Sequence, residues 1–216
     1  MKLRLVNKKQ ESGDIWSFFF EPTEALTWIA GQSIRLEIPR KTWGVSERRF
    51  TIASAPYEGH IRISTRIGVS DFKHDLAELE KGAEIQGFNI EGDFVWDTST
   101  QHKLFLAAGI GITPFRSMLL EAAQLNTPLN TSLVYGTRDV PPLFLDEFTK
   151  LAQHDTSFTI FVTPDRIQIP SGDAWLRSLI YISGPEQMVA DLAQRAITAG
   201  LPSEQLRTDL FTGTNL

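Results

Sequence analysis

Apolar and polar positions alternate in short runs through the first hundred residues and then change rhythm. Ser33–Ile38 and Ile61–Thr65 place every second side chain on an apolar face, the pattern of a strand with one buried side. Ile15–Phe20 and Arg49–Ile52 read as further strands. Pro22, Gly31, Pro39, Pro56 and Gly59 punctuate these runs. One helical pattern interrupts them. Over Ser70–Lys81, Phe72, Leu76 and Leu79 recur at helical spacing and Gly82 supplies a stop. Short antiparallel strands with one helix predict a small β-barrel over residues 1–97.

Beyond Asp97 the pattern becomes strand, helix, strand, helix. Lys103–Ala108, Ser132–Tyr135, Phe158–Val162 and Leu179–Ser183 are near-continuous apolar strands. Pro114–Leu125, Phe144–His154 and Glu186–Ala199 carry helical periodicity, and Leu206–Phe211 closes the chain. Strands apolar on both faces, alternating with helices, predict an α/β parallel sheet covered on both sides over residues 103–216. The polar stretch Thr98–His102 reads as the linker.

Composition narrows the chemistry. The 216 residues contain no cysteine. That excludes disulfides, a thiol nucleophile and cysteine-held zinc or iron–sulfur clusters within the chain, but not flavin, nicotinamide or haem. The net charge is −5 and neither half has a basic excess, which argues against a nucleic-acid partner. The longest apolar stretch, Leu104–Ile112, is far short of the roughly 20 residues of a membrane span. The N-terminus carries no signal-like apolar segment, so a cytoplasmic protein is expected. His60, His74, His102 and His154 have no metal-ligand spacing, so no metal is expected. No Gly-x-Ser-x-Gly elbow points to a hydrolase. Arg40, Lys41 and Trp43 lie in a polar stretch that reads as a solvated loop or a docking patch.

In an open α/β sheet, ligands bind beyond the carboxyl ends of the strands. Gly109, Gly111, Thr113 and Pro114 form a turn there that opens a helix. Such glycines let backbone N–H groups approach a pyrophosphate, and the helix start favours negative charge. Tight strand–helix packing is the plainer reading of this turn alone. Gly136 with Arg138, and Ser183 through Gly184 and Pro185 to Met188, occupy equivalent strand ends. In the barrel half, Arg48 and Phe50 share one face of a strand and Thr51 takes the other. Arg clamps phosphates and an aromatic ring packs on a planar ligand. Gly68, Val69 and Ser70 open the barrel's helix, as an anion site or a plain N-cap.

Together these motifs resemble the ferredoxin–NADP reductase family, in a minimal form without a ferredoxin domain. Arg48-Arg-Phe-Thr51 is similar to the family's Arg-x-Tyr/Phe-Ser/Thr, and Gly68–Ser70 with Leu76 to its second flavin motif. Gly109–Pro114 is similar to its Gly-x-Gly-x-Thr/Ala-Pro, and Ser183–Met188 to its Cys-Gly-Pro-x-x-Met with Ser in place of Cys. The family's Pro-x-Gly-x-Phe turn keeps Gly92 and Phe94 without the Pro. The four motifs fall in the family's order across nearly the whole chain.

The resemblance implies a flavin-dependent NAD(P)H reductase that passes a hydride from NADH or NADPH to bound FAD (FMN in some members). Electrons would then go to a separate ferredoxin, flavodoxin, haem or oxygenase component. It implies Arg48 on the flavin diphosphate, Phe50 on the flavin ring, Thr51 near its N5, and Gly68, Val69 and Ser70 on the phosphates. Gly109 and Gly111 would face the nicotinamide cofactor's pyrophosphate, with Thr113, Gly184, Pro185 and Met188 lining the same cleft. Ser183 would stand at the nicotinamide, and Phe211 is the candidate C-terminal aromatic over the flavin or an ordinary core residue. Asp165, after the third parallel strand, favours a free ribose 2′-hydroxyl. Arg138 and Arg166 favour a phosphate there. The reading leans to NADH. A flavin-binding subunit without NAD(P)H activity of its own, and a reductase of free flavin, stay open as alternatives.

Overall fold

The computed structural model describes residues 1–39, 45–68, 70–170 and 172–211, with Phe211 described by its backbone alone. The stretch with Arg40, Lys41 and Trp43, together with Val69 and the Phe211 side chain, lies outside the described residues.

The first six strands are β1 (Lys2–Ser12), β2 (Ile15–Pro22), β3 (Ser33–Pro39), β4 (Val45–Thr51), β5 (Ile61–Arg66) and β6 (Glu84–Glu91). They form one antiparallel sheet in the order β4-β3-β6-β1-β2-β5. The sheet curls so that its two edge strands meet. Past the end of β4, the Ala53 N–H donates to the Arg62 carbonyl of β5 at 2.8 Å. The inward side chains of Leu3, Phe18, Phe20, Ile34, Leu36, Ile61 and Ile63 fill the interior with no exposure. Helix α1 (Asp71–Glu78) plugs one side of the barrel through Phe72 and Leu76. It is shorter than the periodicity predicts. Leu79 turns to extended backbone and Gly82 adopts a left-handed φ of +95°, so Glu80–Gly82 forms a turn instead of a last helical turn.

Two strands lack a clear sequence pattern. β1 is bulged between Leu5 and Asn7 and again near Ser12, which leaves the polar residues Asn7–Gln10 on an exposed face. β6 buries only Ile85 and Gly87.

The remaining strands are β7 (Lys103–Ala108), β8 (Thr131–Gly136), β9 (Phe158–Thr163), β10 (Leu179–Pro185) and β11 (Leu206–Phe211). All run parallel in the order β11-β10-β7-β8-β9. Helices α2 (Thr113–Gln124) and α3 (Leu145–His154) share a core with one face. Helix α4 (Glu186–Thr198) and Trp175 cover the other. The barrel residues Ile15, Ala30, Ala53 and Phe94 join the α2-side core, so the apolar interior is continuous across the two sheets. Among the described residues, no helix is long and apolar enough to cross a membrane, and no group of acidic or histidine side chains could hold a metal ion.

Phe105, at the centre of β7, stacks on Phe115 with ring centroids 4.5 Å apart and meets Tyr181 and Trp96 edge-on. Phe105→Ala therefore leaves a void that three rings cannot close. The expected cost is about 3–5 kcal/mol, read by urea denaturation as a lower midpoint at an unchanged slope.

Candidate active site at the seam of the two sheets

Chain order reverses between β7 and β10. From β7 the chain moves outward to β8 and β9, then returns across β7 to β10 and β11. The carboxyl ends of β7 and β10 thus frame the crevice where open α/β sheets bind ligands. Gly109 leaves β7 with φ +53°, a conformation that suits glycine. Gly109–Ile112 forms one 3-10 turn before α2 begins at Thr113, with Pro114 in its first turn. A Cβ on Gly111 would lie 2.3 Å from the Ser183 carbonyl oxygen. The absence of a side chain at Gly111 is what lets the two motifs touch. A Cβ on Gly184 would likewise meet Met188 Cε at 2.9 Å. The Thr113 hydroxyl is buried and donates to the Ile110 carbonyl at 3.0 Å, so it pins the turn.

Three polar side chains from three strands meet beside this crevice. Thr51 ends β4, Ser183 lies near the end of β10, and Asp209 stands directly opposite Ser183 on β11. The Thr51 hydroxyl donates to Asp209 Oδ2 across a long 3.4 Å. Ser183 Oγ is fully buried and has no partner of good hydrogen-bond geometry, although Asp209 is close enough to feel its hydroxyl. Burial raises the Asp209 carboxyl above the usual carboxylate range, against the opposing pull of Arg49, Thr51 and Ser183. Sequence reasoning misses Asp209, since nothing in Leu206–Phe211 marks it except the strand register. The cleft on this side measures about 270 Å³ and is bounded by Gly31, Arg49, Thr51, Asp93, Phe94 and Asp209.

The barrel motifs converge on the start of α1. Arg48 and Arg66 lie close enough to Lys73, in the first turn of α1, to add to burial in lowering its ammonium pKa. Three cations thus surround a helix start whose Ser70 carries extended N-cap backbone but makes no side-chain cap bond. Gly68 has open space where a Cβ would stand. Phe50 shares the Arg48 face but packs inward on Phe72, with centroids 5.5 Å apart, and is 8% exposed.

The outer strand ends behave differently. The space above Gly136 is filled by Ile167, whose Cγ1 lies 2.8 Å from where a Cβ would stand, so this glycine serves packing. Arg138 and Asp165 lie past the ends of β8 and β9, on the same carboxyl edge but away from the crevice. Pro185 is exposed and Met188 half-buried at the start of α4.

Residues 105–173 match the family model of the oxidoreductase NAD-binding domain. A flavohemoprotein of Pseudomonas putida is 28% identical over 97% of this chain and 58% of its own length. Ferredoxin–NADP reductase B of Sorangium cellulosum is 29% identical over 80% of this chain and 71% of its own. The flavohem-like FAD/NAD binding domain of nitric oxide dioxygenase from Vibrio cholerae superposes with a TM-score of 0.84, covering 97% of this chain and 98% of that one at 18% identity. The chain is thus similar in sequence to flavohemoproteins and to a ferredoxin–NADP reductase. The barrel followed by the parallel sheet is the two-domain fold of ferredoxin–NADP reductases. The chain spans only a little over half the length of the P. putida flavohemoprotein.

The half-buried Asp209 gives this protein a pH-dependent liability. Its raised pKa means the fold binds the protonated form better, so its contribution to stability is lost as pH rises through that value. Asp209→Asn mimics the protonated carboxyl. It is expected to raise Tm by about 2–4 °C at neutral pH, on the order of 1 kcal/mol. The gain shrinks towards zero as pH falls below the Asp209 pKa, as thermal melts across that range will show.

Proposed function

We propose that this chain is a flavin-dependent NAD(P)H oxidoreductase whose electrons leave for a separate acceptor protein. The observation that carries the reading is the meeting of Thr51, Ser183 and Asp209 at the topological switch point, between a cationic helix start on the barrel and a glycine-cradled crevice on the sheet. Residues 1–97 serve the flavin and residues 103–216 the nucleotide.

The residues present fit both cofactors. Arg48, Lys73 and the first turn of α1 offer charge and N–H donors to a diphosphate, with FAD the flavin that family and fold neighbour favour. The unpartnered Ser183 hydroxyl offers a hydrogen bond to a polar ring substituent in the crevice. The open space above Gly109 admits backbone N–H groups to a pyrophosphate. When bound, the two cofactors would supply the redox chemistry, hydride transfer from nicotinamide to flavin.

The chain's own residues orient, shield and hold a proton. Gly111 and Gly184 let the ends of β7 and β10 close on one another, which fixes the floor of the nucleotide cleft. Phe50 presents a buried edge, packed on Phe72, beside Arg48. Asp209, raised by burial, holds a proton at higher pH than an ordinary carboxyl and is hydrogen-bonded to Thr51 Oγ1, the hydroxyl nearest the flavin in this reading. Ser183 stands where the family carries Cys, and a hydroxyl is the smaller and harder donor. Asp165 at the open end of β9 supports a preference for NADH, with Arg138 as the opposing charge.

Purified protein is expected to be yellow and to bleach on anaerobic addition of NADH, and less readily of NADPH. A yellow preparation that neither nucleotide bleaches rejects the reductase and leaves a flavin-binding subunit. Colour lost on gel filtration points to a reductase of free flavin. Arg48→Ala should weaken flavin binding about tenfold or more, since a charge-assisted hydrogen bond contributes roughly 1.5–3 kcal/mol. Fluorescence titration of the flavin-free protein measures it.

A further inference from the structure

The seam between the barrel and the sheet holds a buried guanidinium that the site described above does not use. Arg116 stands one turn into α2 and its side chain is 4% exposed. All five of its N–H donors are taken. Nε and Nη2 reach the two oxygens of Glu147 on α3, at 3.1 and 2.6 Å. Nη1 and Nη2 reach the two oxygens of Glu58, at 2.8 and 3.0 Å. The second Nη1 hydrogen goes to the Ala53 carbonyl at 2.8 Å. The side chain is thus a saturated double fork, a geometry only guanidinium provides.

Its neighbours on α2 hold the same stretch of barrel. Ser117 Oγ donates to the Ser54 carbonyl at 2.7 Å. Glu121 accepts the Tyr57 N–H at 3.3 Å. Arg116, Ser117 and Glu121 together grip residues 53–58, the segment that continues directly from Arg48-Arg-Phe-Thr51. At its other end α2 opens from the Gly109–Pro114 turn. Arg116 is three residues past Thr113, about 4.5 Å along the helix, and its acceptor Ala53 is two residues past Thr51. The bridge therefore joins the two motifs close to both of them.

We propose that Arg116 is a positioning residue that fixes the separation of the two cofactor sites. Resting on the reductase reading above, the assignment adds a residue to that site's machinery that touches neither cofactor. The double fork orients α2 against residues 53–58, so the nucleotide turn and the flavin strand are held as one rigid piece. Lys in its place keeps the charge but supplies three donors on a flexible stem and cannot span both carboxylates and the carbonyl.

The test uses the flavin-loaded protein with Arg116→Lys and the milder Ser117→Ala. Single-turnover reduction by NADH and by NADH deuterated at the transferred position separates the hydride step from binding. Arg116→Lys is expected to slow that step about 10–100-fold, with nucleotide affinity changed less than about twofold, because small misplacements of reacting atoms carry penalties of that size. Its isotope effect should become more temperature-dependent than that of the parent. Ser117→Ala should move both quantities in the same direction by less. Independently of any reduction, hydrogen exchange in the flavin-free variant should speed up at residues 53–58 while the β7 amides stay protected. An unchanged rate and isotope effect in a folded Arg116→Lys protein overturns the proposal, as does unchanged exchange at residues 53–58. Should the parent protein itself resist reduction, the reductase reading fails, and the exchange experiment still decides whether Arg116 holds the segment.

Discussion

Burying one positive charge between two sheets is the constraint around which the seam is arranged. A guanidinium out of water is costly unless every donor is met. Arg116 meets that demand with two carboxylates from different elements and a backbone carbonyl. Burial works against Glu58 ionising, but the hydrogen bonds and charge of Arg116 outweigh it and hold the carboxyl below its usual range. A second buried cation repeats the arrangement. Arg62 of β5 pairs with Glu11 of β1 at 2.7 Å and reaches Glu147 at 3.5 Å. Glu147 thereby links barrel, α2 and α3.

Such a seam does not stabilise more than an apolar one of equal size, since desolvation cancels much of the ionic attraction. What it supplies is direction. Two greasy faces slide over one another at little cost, whereas a bidentate fork tolerates one angle. The Phe144 ring shows how far the fold goes to keep that angle. It lies under Arg62 at 4.6 Å and under Arg116 at 5.2 Å, and its backbone takes φ +64°. A bulky side chain in that region is strained. The α3 start is bent so that an aromatic face meets both cations, and the surrounding contacts offset the strain. Arg66, paired with Asp139 at 2.9 Å, ties the barrel to the loop after β8 in the same way.

The legible parts of this molecule are those whose local pattern and tertiary role coincide. β7 and β10 are buried on both faces because helices cover both faces. The glycine turn after β7 announces itself through residues that only a close approach requires, and Gly111 is such a position. β6 is silent because its register is set by a neighbour: Gly87 leaves room for the Leu3 side chain, 2.7 Å from where a Cβ would be, and glycine is a poor strand signal. Arg116 hides for the opposite reason. It sits inside a run of buried helical positions, Thr113–Leu119, where apolar periodicity carries the reading and one charge looks like an interruption. That interruption is the available clue, since a charge in the middle of a buried run must have partners.

Asp209 illustrates the limit of any local reading, and it also explains why the last strand matters. Its position depends on β11 lying beside β10 in one register, with Ser183 opposite Asp209 and Pro185 opposite Phe211. A slip of one residue would turn the carboxyl to the other face of the sheet. β11 is an edge strand, held by β10 alone, so its register is supported from one side only. The long 3.4 Å contact to Thr51 then does more than join two polar atoms. It ties the edge strand of the sheet to the end of a barrel strand, and it does so beside the crevice. Without cysteine anywhere in the chain, the site's polar character rests on Thr51, Ser183 and Asp209, contributed by β4, β10 and β11. Ser183 and Asp209 meet within one sheet, but Thr51 comes from the barrel, so under the role assigned to Arg116 the third member of the crevice depends on the ionic geometry of the seam.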